Sequence, residues 1–153
     1  MAGRFGSAAA CDARGVRTVF VFPAMEQAAV VALLDRLSPD QRHPWLVDGC
    51  LYPDLTDEDE HLYADWEPAA VRALSRARGD RPRWAVQVDV SGRVDGTVEV
   101  RRLTLTLLGR GGVAMDDYSD HVWTAEQIAA DATVDGLRFF DFRGHYERNR
   151  LAR

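Results

Sequence analysis

Between Gly111 and Ile128 the chain reads Gly-Gly-Val-Ala-Met-Asp-Asp-Tyr-Ser-Asp-His-Val-Trp-Thr-Ala-Glu-Gln-Ile. Three carboxylates and an imidazole, Asp116, Asp117, Asp120 and His121, fall within six residues. Such a set can bind a divalent cation or carry out acid–base chemistry. The spacing matches no established metal motif, and neither His-x-x-x-His nor Glu-x-x-His accompanies it. Asp and Ser also close turns by bonding to their own backbone. Three readings therefore stand together: a metal or acid–base site, a loop that contacts a partner, and a turn specified by its own side chains.

A second cluster lies upstream. Asp54 to Glu67 holds seven acids and no arginine. Runs of like charge are solvated faces or interaction surfaces. An inhibitor of a protein with a basic cleft would gain fast electrostatic steering from such a run. Asp57, Asp59 and Glu60 are the candidate carboxylates. Tyr63, with Tyr52 and Trp66 close by, would supply the apolar anchors that dominate interface energy.

Other motifs lead nowhere. Gly109-Arg110-Gly111-Gly112 lacks the Gly-Lys-Ser/Thr ending of a phosphate loop and precedes a strand rather than following one. No Gly-x-Ser-x-Gly occurs, no serine has a triad context, and neither cysteine has a neighbouring histidine. No catalytic residue, metal ligand or cofactor is assigned.

The elements that must hold these groups follow from periodicity. Arg17 to Phe22 has the β-branched and aromatic content of a buried strand, closed by Pro23. Met25 to Leu37 repeats apolar residues at helical spacing. Trp45 to Tyr52 is a candidate second strand, interrupted at Asp48-Gly49. Pro68 to Arg78 reads as a helix with Pro at its first position and Gly79 after its end. Arg83 to Val90 alternates as a half-buried strand.

Thr97 to Leu108 is ambiguous. Val98, Val100, Leu103, Leu105 and Leu107 nearly alternate, with Asp95-Gly96 as a hairpin signal. Val100, Leu103, Thr104, Leu107 and Leu108 instead make a helical stripe, with Gly109 as C-cap. Val113 to Met115 is a short strand. Thr124 to Asp131 is a short helix opened by a capping box, Thr124 with Gln127. Leu137 to Phe142 is an aromatic strand or extended segment, and His145 to Arg153 a basic helical tail. The order predicts a single α+β domain over residues 16–153, with one mixed sheet of about four to five strands and helices packed on it.

Composition sets limits. The 153 residues suit one domain that buries a core of its own, at 46% hydrophobic and 28% charged. All 19 basic residues are arginine, a bias that a GC-rich coding genome explains most simply. A net charge of −5 argues against general binding to nucleic acid or anionic membranes. Cys11 and Cys50 form no redox or metal motif. No apolar run approaches bilayer-spanning length. Residues 1–15 read as a disordered leader, and the protein as cytoplasmic.

The segment Asp-Asp-Tyr-Ser-Asp-His-Val-Trp-Thr after a strand, followed by Phe139-Phe140-Asp141-Phe142, resembles small actinobacterial and myxobacterial immunity proteins. These are the partners of polymorphic contact-dependent toxins of the swarming-inhibition type. The similarity runs from Trp66 to Tyr146. It favours a helix over 97–108, the reading adopted here. It implies stoichiometric binding and neutralisation of a cognate protein toxin, and brings no catalytic residue with it. The expected contacts are Asp57, Asp59, Glu60, Tyr63, Asp116, Asp117, Tyr118, Asp120 and His121, facing a toxin of basic surface. The competing expectations are a small enzyme of secondary metabolism with Asp117 and His121 in a cleft, and a non-catalytic interaction domain.

Overall fold

A computed structural model describes residues 17–151. The expected leader and Cys11 lie outside the described residues. Five strands form one sheet in the order β2-β3-β1-β4-β5. They are β1 (Arg17–Pro23), β2 (Leu51–Asp57), β3 (Trp84–Val90), β4 (Gly112–Asp116) and β5 (Trp123–Thr124). Between and after them come α1 (Gln27–Leu37), α2 (Pro68–Arg78), α3 (Thr97–Leu107), α4 (Ala125–Ala129) and α5 (Phe142–Leu151). The α+β class and the single five-stranded sheet agree with the expectation. Every pairing is antiparallel, so the sheet is not mixed in its ladders. The helical crossovers β1-α1-β2 and β3-α3-β4 are what suggested parallel neighbours. Each joins two co-directional strands that have another strand between them.

β1 is central and buried along its whole length, because helices cover both faces of it. On one face Val19 and Val21 meet Val86, Val88 and Val90, under Val30 and Leu34 of α1 and Val100, Leu103 and Leu107 of α3. On the other, Phe20 and Phe22 pack with Val113, Met115 and Trp66 beneath Ala70 and Leu74 of α2.

The ambiguous segment is helical. α3 buries Val100, Leu103, Thr104 and Leu107, the stripe that the 3.6-residue period demands. Asp95-Gly96 is no hairpin turn. Gly96 sits at φ +73 as the N-cap of α3, and a Cβ there would meet Val90 Cγ1 at 2.5 Å. The cap at the other end is Leu108, not Gly109.

Two further expectations are corrected. The second strand is Leu51–Asp57 rather than Trp45–Tyr52, and it runs into the acidic block. Of the earlier segment, Val47 bridges back to Leu51 and the Trp45 amide donates to the Pro53 carbonyl at 3.0 Å. Residues 137–141, expected as an aromatic strand or extended segment, join no strand of the sheet: Leu137 bridges Val134, residues 139–140 turn, and the C-terminal helix starts at Phe142. No helix among the described residues is long and apolar enough to cross a membrane.

Candidate functional site

The register places the two acidic clusters at opposite ends of the sheet. Asp116 pairs with Val19, two residues from the start of β1. Asp57 ends β2 opposite Trp84, the first residue of β3. Through Val19 and Val88 on one side and Trp84 on the other, the two carboxylates lie four residues apart along the strands, roughly 13 Å, and three strands apart across the sheet, roughly 14 Å more. The nine expected contact residues do not form one patch.

At the Asp116 end the side chains are committed to the fold. Asp116 is 1% exposed. Its Oδ1 accepts the amides of Tyr118 (3.0 Å) and Ser119 (3.3 Å), and its Oδ2 accepts that of Phe140 at 2.6 Å. A buried carboxylate survives only if it is bonded in this way. Tyr118 is buried as well, with its ring 5.7 Å from Phe140 and 5.2 Å from His145. Burial pushes its hydroxyl well above the ordinary phenol range, and the nearby Asp117 adds to the effect. Asp116 and Tyr118, two of the expected toxin contacts, are thus buried groups, 1% and 8% exposed.

Asp117 is half-buried, and its Oδ2 accepts the Thr18 amide at 2.9 Å, which ties the loop to β1. His121 stands edge-on to Trp123, with centroids 4.6 Å apart. Its Nε2 lies 2.9 Å from Gln127 Oε1, which fixes Nε2 as the donor. The same Oε1 accepts the Thr124 amide at 3.1 Å, and Thr124 Oγ1 accepts Gln127 N at 3.2 Å. The capping box seen in the sequence is complete, and His121 is its third member. Asp120 alone of this loop is exposed. Among the described residues no three His, Cys, Asp or Glu groups are arranged to hold a metal.

The acidic end is different. Asp57 Oδ1 accepts Glu60 N at 2.9 Å and caps the 3-10 turn Glu58–Glu60. Glu58 pairs with Arg81 at 2.9 Å. Asp59, Glu60, Asp65 and Glu67 are exposed, and among the described residues none of them is in an ion pair. Tyr63 is half-buried and donates its hydroxyl to the Pro82 carbonyl at 2.6 Å. The Arg81 guanidinium stacks 5.0 Å over its ring. Burial raises its ionisation above the ordinary value. Trp66, a possible anchor by sequence, is instead core, edge-on to Phe20 at 5.3 Å and Phe22 at 6.0 Å.

The sequence reading passed over one concavity. A cleft of about 170 Å³ lies between the start of α3 and the start of α5, lined by Asp95, Thr97, Arg101, Asp131, Arg138 and residues 139–143. The available signal was the interleaving of arginine and aspartate over 131–143, a stretch whose sequence reading is an aromatic strand or extended segment leading into a basic tail. Searches of protein-family models, of curated proteins and of solved structures found no match to this chain.

Proposed function

We propose that this chain is a cytoplasmic immunity-type protein: a stoichiometric inhibitor that docks on the basic surface of a cognate toxin and performs no chemistry of its own. One observation carries the reading. Asp59, Glu60, Asp65 and Glu67 stand exposed, without ion pairs among the described residues, on a turn and loop fixed at one end of a rigid sheet. Unmatched carboxylates raise the local negative potential and steer a basic partner. Tyr63 lies in the same turn with its hydroxyl bonded and its ring held by Arg81 and Trp66, a pre-ordered aromatic of the kind that anchors interfaces. The Asp116–His121 loop supports the reading indirectly, since its carboxylates and imidazole serve backbone and capping bonds.

The test is co-expression with a toxin domain encoded next to this chain, followed by purification of a 1:1 complex. The wild type should restore growth and bind. The double variant Asp59→Arg/Glu60→Arg should associate about tenfold more slowly and with a weaker salt dependence. Failure to protect or bind, or an on-rate and salt slope unchanged by the reversal, overturns the proposal.

A further inference from the structure

We infer that the cleft between α3 and α5 is a binding site for a small oxyanion of the phosphate class, at the position that the Asp131 carboxylate now occupies. The site lies at the Asp116 end of the sheet and does not depend on the function proposed above.

Three arginines face this cleft. Arg101 and Arg138 both reach Asp131, at 3.3 and 3.4 Å. Arg143 reaches Asp95 at 2.8 Å and stacks 5.1 Å over Phe142. A guanidinium has five N–H donors in a fixed fork. Arg138 spends its donors on Asp131 at 3.4 Å and on Asp141 at 3.7 Å, both longer than the roughly 2.7–2.9 Å of a good charge-assisted bond. Most of its donors have no close acceptor among the described residues, and its side chain is 55% exposed.

The three carboxylates of the cleft are not equivalent. Asp95 Oδ1 accepts the Thr97 amide at 3.0 Å at the start of α3. Asp141 Oδ1 accepts the Gly144 amide at 3.0 Å at the start of α5. Asp95 holds the amide that opens α3 just behind its Gly96 N-cap, Asp141 holds the first turn of α5, and both are fixed by that work. Asp131 has only the two loose guanidinium contacts, on a left-handed residue at φ +55. It fills the anion position between Arg101 and Arg138 without reaching good distances to either. Arg101 gives one Nη2 donor to the Ile128 carbonyl at 2.7 Å, and a tetrahedral oxyanion, which presents several acceptors at once, can meet its remaining donors and the Arg138 fork together.

The wall behind is rigid. Phe140 is held at φ +57, 1% exposed, by the bond from its amide to Asp116. The starts of α3 and α5 lie beside the arginines, so their dipoles favour the same sign of ligand. Electrostatic competition decides the affinity: the incoming anion must displace Asp131, so removing that carboxylate's charge should tighten binding.

The experiment is a titration of the full chain with inorganic phosphate at constant ionic strength, read by backbone amide chemical shifts. A parallel titration uses phenyl phosphate, to ask whether an attached ring adds affinity on the Phe142 side. Saturable shifts are expected at the amides of Thr97 and of Phe142 to Gly144. Asp131→Asn should bind several-fold tighter, and Arg138→Gln should lose the shifts while its spectrum stays that of a folded protein. Shifts that never saturate in either the wild type or Asp131→Asn overturn the inference. So do shifts that persist unchanged in Arg138→Gln, which would place the anion elsewhere.

Discussion

The carboxylate of Asp116 and the backbone amide of Phe140 are joined at 2.6 Å across 24 positions of sequence. The bond holds an aromatic residue in the left-handed region, at φ +57, a conformation that costs of order 1–3 kcal/mol and persists only where the surroundings over-determine it. Asp116→Ala strands three amides inside the protein. With about 1–3 kcal/mol for each of the two fully buried donors, those of Tyr118 and Phe140, the loss should come to roughly 2–6 kcal/mol. Urea denaturation measures it. Asp116→Asn should cost less and act mainly at one place: if the carboxamide keeps its oxygen for Tyr118 and Ser119, its NH₂ faces Phe140 N. Hydrogen exchange at Phe140 should accelerate more than at Tyr118, and equal protection at both amides would refute that picture.

Trp123 is fully buried, with Phe139 edge-on at 6.0 Å and His121 at 4.6 Å. Trp123→Ala should cost about 3–5 kcal/mol, as for other large aromatics removed from a core. On the proposed immunity role, any loss of protection should follow the loss of folded protein. A variant that melts like the wild type yet fails to protect would make Trp123 a contact residue.

The strongly periodic elements were legible in the sequence. β1, α2 and β3 fall within a residue of their expected bounds, because both the alternation and the Pro68 and Gly79 signals are local. The capping box at Thr124 was visible for the same reason. β2 was misplaced because Pro53, Asp54 and Asp57 are poor strand formers. Only pairing with β3, from Leu51–Val90 to Asp57–Trp84, makes that segment a strand, and a non-local partner overrides propensity. The Asp116–His121 cluster was legible in the sequence, but the partners of its carboxylates were not. Sequence spacing cannot tell that a strand's last carboxylate turns inward to collect an amide 24 residues away.

Asp57 and Asp59 separate capping from contact. Asp57→Ala removes the acceptor for Glu60 N and should cost about 1 kcal/mol, as for other lost caps. Asp59→Ala touches no bond described in the fold and should stay within about 0.5 kcal/mol. Thermal melts of the two variants check this. On the proposed immunity role, on-rates with a cognate toxin should show the reverse weighting for Asp59, a kinetic effect without a stability effect.

The pH dependence of stability should carry a signature of Asp95. The Thr97 side chain and then Arg143 bond its carboxylate and hold it down to about 2, against an ordinary value of 3.8. A depressed folded-state value stabilises the protein above the unfolded value and is lost as pH falls, here between about 4 and 2. The side chain is 47% exposed, so screening limits the contribution to about 1 kcal/mol or less. Urea midpoints at stepped pH should fall less steeply across that window in Asp95→Asn than in the wild type. Parallel slopes would show that Asp95 titrates alike in both states.

The central position of β1 has a consequence for synthesis. The strand Arg-Thr-Val-Phe-Val-Phe-Pro leaves the ribosome before either neighbour exists: Arg17 must wait for Val90, and Val19 for Asp116. During that interval two bare strand edges and a phenylalanine face have no native partner. Loop closure over such separations is slow, and exposed strand edges invite pairing with other chains. A nascent chain stopped short of β4 should therefore be a client for chaperones rather than a half-built domain.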